Sequence, residues 1–346
     1  MLQVDGSQKS GSGTILRSAI AMAAILNEPL HIRNIRTKRP EPGLRPQHLE
    51  AVLTAAKLCH ATVEGAALSS KELKFYPGDI AGGRVDAEIG TAGSIPMLLV
   101  TVLPMCAFAR DPVCLHISRG GTDVLHSPTI NYLGSVLFPI LEKMGLRVAL
   151  NITKYGYYPK GMGEVTVEAQ PVPKLGCLVL EEFGSLERLE GISVCTCLAD
   201  RNVARRQAEM AERLLRSRGL RPAIRVANDF SNPRQKGSSL TLWAQTNRGA
   251  ILGGDAIGEL RKSSEAVGQE AALNLLREVE AKATVDVHLA DLLVPYVALA
   301  KGRSVFLTRT ITDHLETNIW LAQKMLGVKF KTRRAGSLFE VEKTEL

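Results

Sequence analysis

At 346 residues the chain outgrows a single core, which predicts one large domain and a smaller one. An apolar fraction of 45% against 23% charged excludes a disordered chain, and no apolar run crosses a bilayer, the longest, Ile95–Ala109, being short and broken by Pro96 and Pro104. Lys and Arg outnumber Asp and Glu by 43 to 35, which favours a polyanionic partner without identifying one, since proteins that never touch nucleic acid carry similar balances.

The opening Met1–Asp5 has neither a basic nor a long apolar stretch, so no export signal is expected and a cytoplasmic protein is. A strand at Leu2–Val4, a turn at Gly11–Gly13 and an apolar helix at Ile15–Leu26 lead to a strand at Leu30–Ile35 and a helix at Gln47–His60. About eighty residues on, the order repeats: Val85–Ile89, Gly90–Ser94, Met97–Ala109, Val113–Ile117 and Thr129–Met144, with a strand pair closing the unit. Both second strands begin Leu-His-Ile, at Leu30 and Leu115. A third unit is expected from the strand Gly176–Leu180, the helix His288–Ala300, the strand Ser304–Leu307 and the helix Thr317–Leu326. Between its parts lie a strand Gly191–Cys197, a basic helix Asn202–Arg218 and strands Ala223–Ala227 and Ser239–Gln245. The expectation is an α/β protein of three repeated α/β units at residues 1–181 and 278–346, with a smaller α/β domain inserted at 182–277. Among the six cysteines only Cys195 and Cys197 are close, on one strand face with no second pair, which points to buried free thiols rather than zinc.

Several turns carry groups suited to chemistry. In Asp5–Arg17 small residues precede a helix, leaving backbone N–H groups and the positive helix end free for phosphate, although neither phosphate-loop fingerprint is matched and a tight structural turn is the alternative. Arg17, one turn into an apolar helix, needs an anion or a carboxylate. The segment Ile35–Leu49 is stiffened by prolines and holds Arg36, Lys38, Arg39 and Arg45, either preorganised for phosphates or simply solvated. Lys160 is a candidate phosphate contact, with Tyr157 or Tyr158 as stacking surfaces. His314 stands just before a helix that Thr317 is expected to cap, as a base, ligand, nucleophile or exposed side chain. His288 and Asp291 share a helix face.

In this order the segments resemble the RNA 3′-terminal phosphate cyclase family, from Asp5 to about Phe330, most specifically at Pro42–Leu49, Ile89–Ser94, Gly120–Asp123, Tyr158-Pro159 with Gly161 and Gly163, Leu289–Asp291, and His314 with Thr317–Ile319. The resemblance implies repeated units like those of enolpyruvyl transferases and ATP-dependent conversion of an RNA 3′-phosphate to a 2′,3′-cyclic phosphate through AMP on His314. It further implies that Arg17, Arg39 and Gln47 serve the phosphates and that His288, Leu289, Ala290, Asp291 and Leu292 contact ATP. Pro128 then lies against adenine, with Mg²⁺ or Mn²⁺ beside the triphosphate.

The opening motif departs from the family pattern at Lys9, Ser10, Ser12 and Thr14, and Val100 replaces a glutamine. Ser10 stands where a metal-site glutamate is expected, which leaves the metal ligands of this chain unknown. A non-catalytic RNA-binding or ribosome-assembly protein of the same fold, or an enolpyruvyl transferase, is the rival reading; the first is disfavoured by the intact context of His314, the second by its need for different anion-binding motifs.

Overall fold

The computed structural model describes residues 1–344. The first unit runs β1 (Leu2–Asp5), α1 (Gly13–Leu26), β2 (Leu30–Arg33), α2 (Pro46–Leu58), β3 (Thr62–Glu64) and β4 (Leu73–Tyr76). The second runs β5 (Gly83–Glu88), α3 (Ile95–Cys106), β6 (Val113–Gly120), α4 (Ile130–Tyr132) continued through a π-helical turn into α5 (Phe138–Lys143), β7 (Arg147–Lys154) and β8 (Gly163–Gln170). That widened turn directly precedes Pro139, which has no N–H to give to an α-helical ladder. The third unit starts with β9 (Val179–Leu180). The chain then leaves to form β10 (Leu186–Thr196), α6 (Val203–Ser217), β11 (Ala223–Asp229), β12 (Gly237–Thr246), β13 (Ile251–Ile257) and α7 (Ser264–Ala281). It returns to complete the unit with α8 (Val287–Leu299), β14 (Ser304–Thr308), α9 (Asp313–Leu326), β15 (Lys329–Ala335) and β16 (Leu338–Thr344).

The three units share one topology. Their sheets run β1-β2-β4-β3, β5-β6-β8-β7 and β9-β14-β16-β15, and in each the first pair is parallel and the other two are antiparallel. The fourth sheet, β11-β10-β12-β13, belongs wholly to the intervening stretch and is covered by α6 and α7. Strand alternation sets the covered faces: Val165, Val167 and Ala169 of β8 point inward between exposed or half-exposed neighbours. The first helices of the units, α1, α3 and α8, are apolar nearly all round and are correspondingly buried in one continuous core with α9. A second core, including Leu240, Leu242, Ala271 and Leu275, fills the fourth sheet and its helices. No helix among the described residues is long and apolar enough to cross a membrane.

Four local expectations change. The strand expected at Gly176–Leu180 is only two residues long, because Gly176 N–H bonds the carbonyl of Met144 and Leu178 N–H bonds Ser304 Oγ. Helix α9 begins at Asp313, capped by Thr312, whose hydroxyl accepts from Leu315 N–H at 2.9 Å; Thr317 instead donates back to the carbonyl of Asp313. Strand β10 ends at Thr196 and Cys197 turns away with φ of 54°, so the two thiols do not share a strand face; Cys195 is buried and Cys197 half-buried. Helix α7, unassigned from sequence, runs through the expected boundary at 277.

Candidate active site

Two helix N-termini meet here. Thr14 lies in the first turn of α1 and His314 in the first turn of α9, and Thr14 Oγ1 stands 3.0 Å from His314 Nδ1. Arg17, one turn further along α1, donates from Nη2 to the same Thr14 oxygen at 3.4 Å. Ser12 caps α1, and Ser10 N–H donates to Thr317 Oγ1 at 3.2 Å, so the loop ahead of α1 is fastened to α9. Gly13 makes this convergence possible, since a Cβ there would lie 2.4 Å from His48 Nε2 and 2.8 Å from Arg17 Nη1.

The electrostatics follow from burial beside cations. His314 is held below its ordinary pKa by burial and then by the charges of Arg17 and Arg39, so its imidazole is neutral at pH 7. Burial, with Arg36 and Arg39 nearby, lowers even Arg17 to about 10. No carboxylate among the described residues pairs with Arg17, and Thr14 is its only hydrogen-bond partner. The carboxylate alternative for Arg17 is therefore not realised, and an unpaired, largely buried guanidinium is a site prepared for an anion. His48, buried against this group, is lowered to about 2 by burial and by Arg17, Arg36 and Arg45, so it adds shape but no charge.

A cavity of about 430 Å³ opens from this junction. His314, Arg17, Pro128, His288, Asp291 and Leu292 all line it, together with Val100. Asp291 is raised to about 6 by burial, against the lowering effects of the Thr312 hydroxyl it accepts and of His288. Its backbone carbonyl takes a 2.8 Å bond from Asn318 Nδ2, and Ser18 Oγ donates to Asn318 Oδ1 at 2.7 Å, which locks α8, α9 and α1 together behind the imidazole.

The other candidates lie elsewhere. Gln47 accepts from Ser94 N–H at 2.7 Å and so orders the turn before α3. Arg39 is exposed on its loop and acts on His314 and Arg17 by charge. Leu289 and Ala290 face the core, while Leu289 N–H bonds Asp286, a buried carboxylate that also accepts from Tyr132 and Gly253. Lys9 pairs with Glu316 at 2.8 Å and does not face the cavity.

Sequence reading overlooked Thr14 as a contact and missed Asp255, Glu270 and Asn274, which bring β13 and α7 into the cavity wall. The order of elements held the signal: whatever is inserted between β9 and α8 has to deliver the chain back to the start of α8, beside His288. The groups present form no dedicated cage for a divalent cation. Hydroxyls occupy the turn before α1, Asp291 is engaged by Thr312, and no group of three potential ligands occurs among the described residues.

The model of the family described as RNA 3′-terminal phosphate cyclase matches residues 8–332. The chain belongs to that family. Proteins named RNA 3′-terminal phosphate cyclase from Pyrobaculum neutrophilum and Pyrococcus furiosus are each 42% identical to it, covering 99% and 96% of this chain and 97% and 95% of their own lengths. A further cyclase of that name, from Methanosarcina barkeri, is 40% identical over 99% of both chains. Among solved structures, the enolpyruvyl transferase NikO of Streptomyces tendae aligns at 13% identity and a TM-score of 0.22, covering 99% of this chain and 51% of that one. That likeness carries no argument, and the repeated units of this RNA 3′-terminal phosphate cyclase family member stand on the sheet topology itself.

Proposed function

We propose that this family member converts an RNA 3′-phosphate to a 2′,3′-cyclic phosphate at the expense of ATP, through AMP carried on His314. The observation that carries the reading is a neutral imidazole, anchored at one nitrogen and set beside an unpaired, half-buried arginine. With its proton on Nδ1, donated to Thr14 Oγ1, His314 presents the Nε2 lone pair to the cavity. Nε2 attacks the α-phosphorus of ATP, a P–N bond forms, and pyrophosphate leaves with the electrons of the broken P–O bond. An oxygen of the RNA 3′-phosphate then attacks the same phosphorus and returns the electron pair to Nε2. The adjacent 2′-hydroxyl attacks the activated 3′-phosphorus, loses its proton, and expels AMP.

Arg17 neutralises phosphate charge at the point of attack, with Arg39, exposed on its loop, as a second cation whose charge acts on the site. Pro128, Val100 and Leu292 supply apolar wall for adenine. Among the described residues there is no all-protein cage for a divalent ion, so an Mg²⁺ or Mn²⁺ would be held mainly by the triphosphate, with the guanidinium groups supplying the protein's share of charge neutralisation. We infer a cytoplasmic setting, as expected for an RNA-end enzyme, and a core of residues 1–181 and 283–346 whose inserted domain, ending with α7, closes the nucleotide side of the cavity through Asp255, Glu270 and Asn274.

Incubation with α-labelled ATP tests the reading: an acid-labile labelled adduct forms on the parent and not on His314→Ala or His314→Asn. An adduct that persists in either variant, or a parent that forms none, overturns it.

A further inference from the structure

Beyond the nucleotide pocket, two loops from different parts of the fold lie side by side. Residues 155–162 join β7 to β8, and residues 230–236 join β11 to β12. Asn232 Nδ2 donates to the carbonyls of Tyr155 at 2.7 Å and Gly161 at 3.2 Å. Gln235 accepts from Lys160 N–H at 3.1 Å and donates to the Tyr158 carbonyl at 2.9 Å. The seam is therefore held by four bonds through two residues, Asn232 buried and Gln235 half-buried. What it turns outward is different in kind. Tyr158 is 78% exposed and Phe230 67%, although Tyr157 beside them is buried at 3%. Lys160, Arg234 and Lys236 are exposed around these rings, and none of the ion pairs among the described residues uses them.

That lack of partners contrasts with the basic helix α6. There Arg206, Arg216 and Arg218 are tied to Glu265, Glu212 and Glu280. Three of the five arginines between Val203 and Arg218 are thus already answered, whereas the cations of the seam are not. The seam also borders the cavity wall. Gly161 packs so closely on the turn before α3 that a Cβ would lie 2.7 Å from the Thr91 carbonyl oxygen. Ser94 of that turn bonds Ser127, a cavity-lining residue, at 2.6 Å between hydroxyls.

We propose that this seam binds the body of the RNA as a single strand, with Tyr158 and Phe230 stacking on bases and Lys160, Arg234 and Lys236 meeting phosphates, while the 3′ end enters the cavity. Exposed rings offer every base a stacking face, and unpaired cations spaced along a ridge follow a backbone without reading sequence. The proposal rests on the reading that the 3′ end of RNA is the substrate, and it adds where the rest of the strand lies.

The test uses the full chain and a 5′-fluorescein RNA of about twelve nucleotides with a 3′-phosphate, followed by anisotropy across a salt series. The paired substitution Tyr158→Ala with Phe230→Ala is expected to weaken binding at least tenfold. Replacing Lys160, Arg234 and Lys236 together by Gln makes the negative slope of log K against log salt shallower by about 2, at roughly 0.7 per phosphate contact. Binding of a 3′-phosphorylated dinucleotide and adduct formation from ATP without RNA both stay at parent values. Parent-like binding of the longer RNA by both variants overturns the seam, as does an equal loss for the dinucleotide, or a duplex that competes as well as the single strand. Failure of the parent to form the histidine adduct would overturn the proposed chemistry instead, and seam-dependent RNA binding in that protein would still uphold the RNA path.

Discussion

Thr14 and Arg17 sit one turn apart on α1 and act on one imidazole by different physics. Thr14 fixes orientation through a single hydrogen bond to Nδ1. Thr14→Val is nearly isosteric and removes it, so adduct formation at saturating ATP is expected to slow by roughly fivefold, about 1 kcal/mol, with the ATP requirement little changed. Thr14→Ser should recover most of the rate, and a Val variant as fast as the parent would show that the bond does not orient the ring. Arg17 acts by charge and pushes the His314 pKa down. A lowered pKa keeps the imidazole neutral as pH falls through the ordinary value of 6.5, so the acid limb of the proposed adduct formation is expected below 6.5. Arg17→Met removes one cause of that depression and should move the limb upward as well as reduce the rate. A limb that stays put would assign the shift to burial alone.

The helix α9 shows what an element can contribute. Its cap, Thr312, gives its hydroxyl proton to Asp291 and accepts from Leu315 N–H, so one residue both starts the helix and ties it to α8. Thr312→Ala is expected to cost about 1 kcal/mol of stability, and Thr312→Asn to cost less, measured by thermal unfolding. Asp291 carries the opposite liability. Its pKa is raised from 3.8 to about 6, so the fold prefers it protonated, and its contribution is fully present below pH 3.8 and lost as pH rises through about 6. Asp291→Asn should therefore be more stable than the parent at pH 7.5, by an upper bound of about 3 kcal/mol, with the gap closing toward pH 4. A gap independent of pH would rule out this titration as its source.

Elements such as α1 and α3 were legible because an apolar helix behind a Gly/Ser turn leaves a strong pattern. The start of α9 was not, because Thr312 and Thr317 are both plausible caps and only the extended backbone at Thr312 decides between them. Helix α7 escaped because Gly268, Ala271 and Ala272 separate Val267 from Leu275 and Leu276 on its inner face, and those small side chains weaken the periodic signal. His314, Arg17 and Pro128 were visible through motif context, whereas Asp255 and Asn274 enter the cavity by tertiary folding of the inserted stretch.

For the whole molecule, the decisive feature is how that stretch leaves and returns. Thr284 Oγ1 donates to the carbonyl of Leu180 at 2.8 Å, so departure and re-entry are adjacent. Excising residues 182–282 and joining the ends with a short linker is expected to leave a cooperatively unfolding core. The same protein should bind ATP weakly, because β13 and α7 no longer wall the cavity. Excision that abolished cooperative unfolding, despite the adjacent ends, would show that the core depends on contacts such as Gly253 to Asp286.

The same adjacency has a bearing on synthesis. Val179 finds its parallel partner only in Val305, so β9 emerges from the ribosome and waits unpaired while the entire inserted stretch is translated. That stretch has its own sheet and core with which to fold during the delay. The histidine arrives later still, on the helix after β14. If AMP is carried on His314 as proposed, a nascent chain is unable to consume nucleotide until almost all of it has been made, and the proposed chemistry is confined to finished molecules.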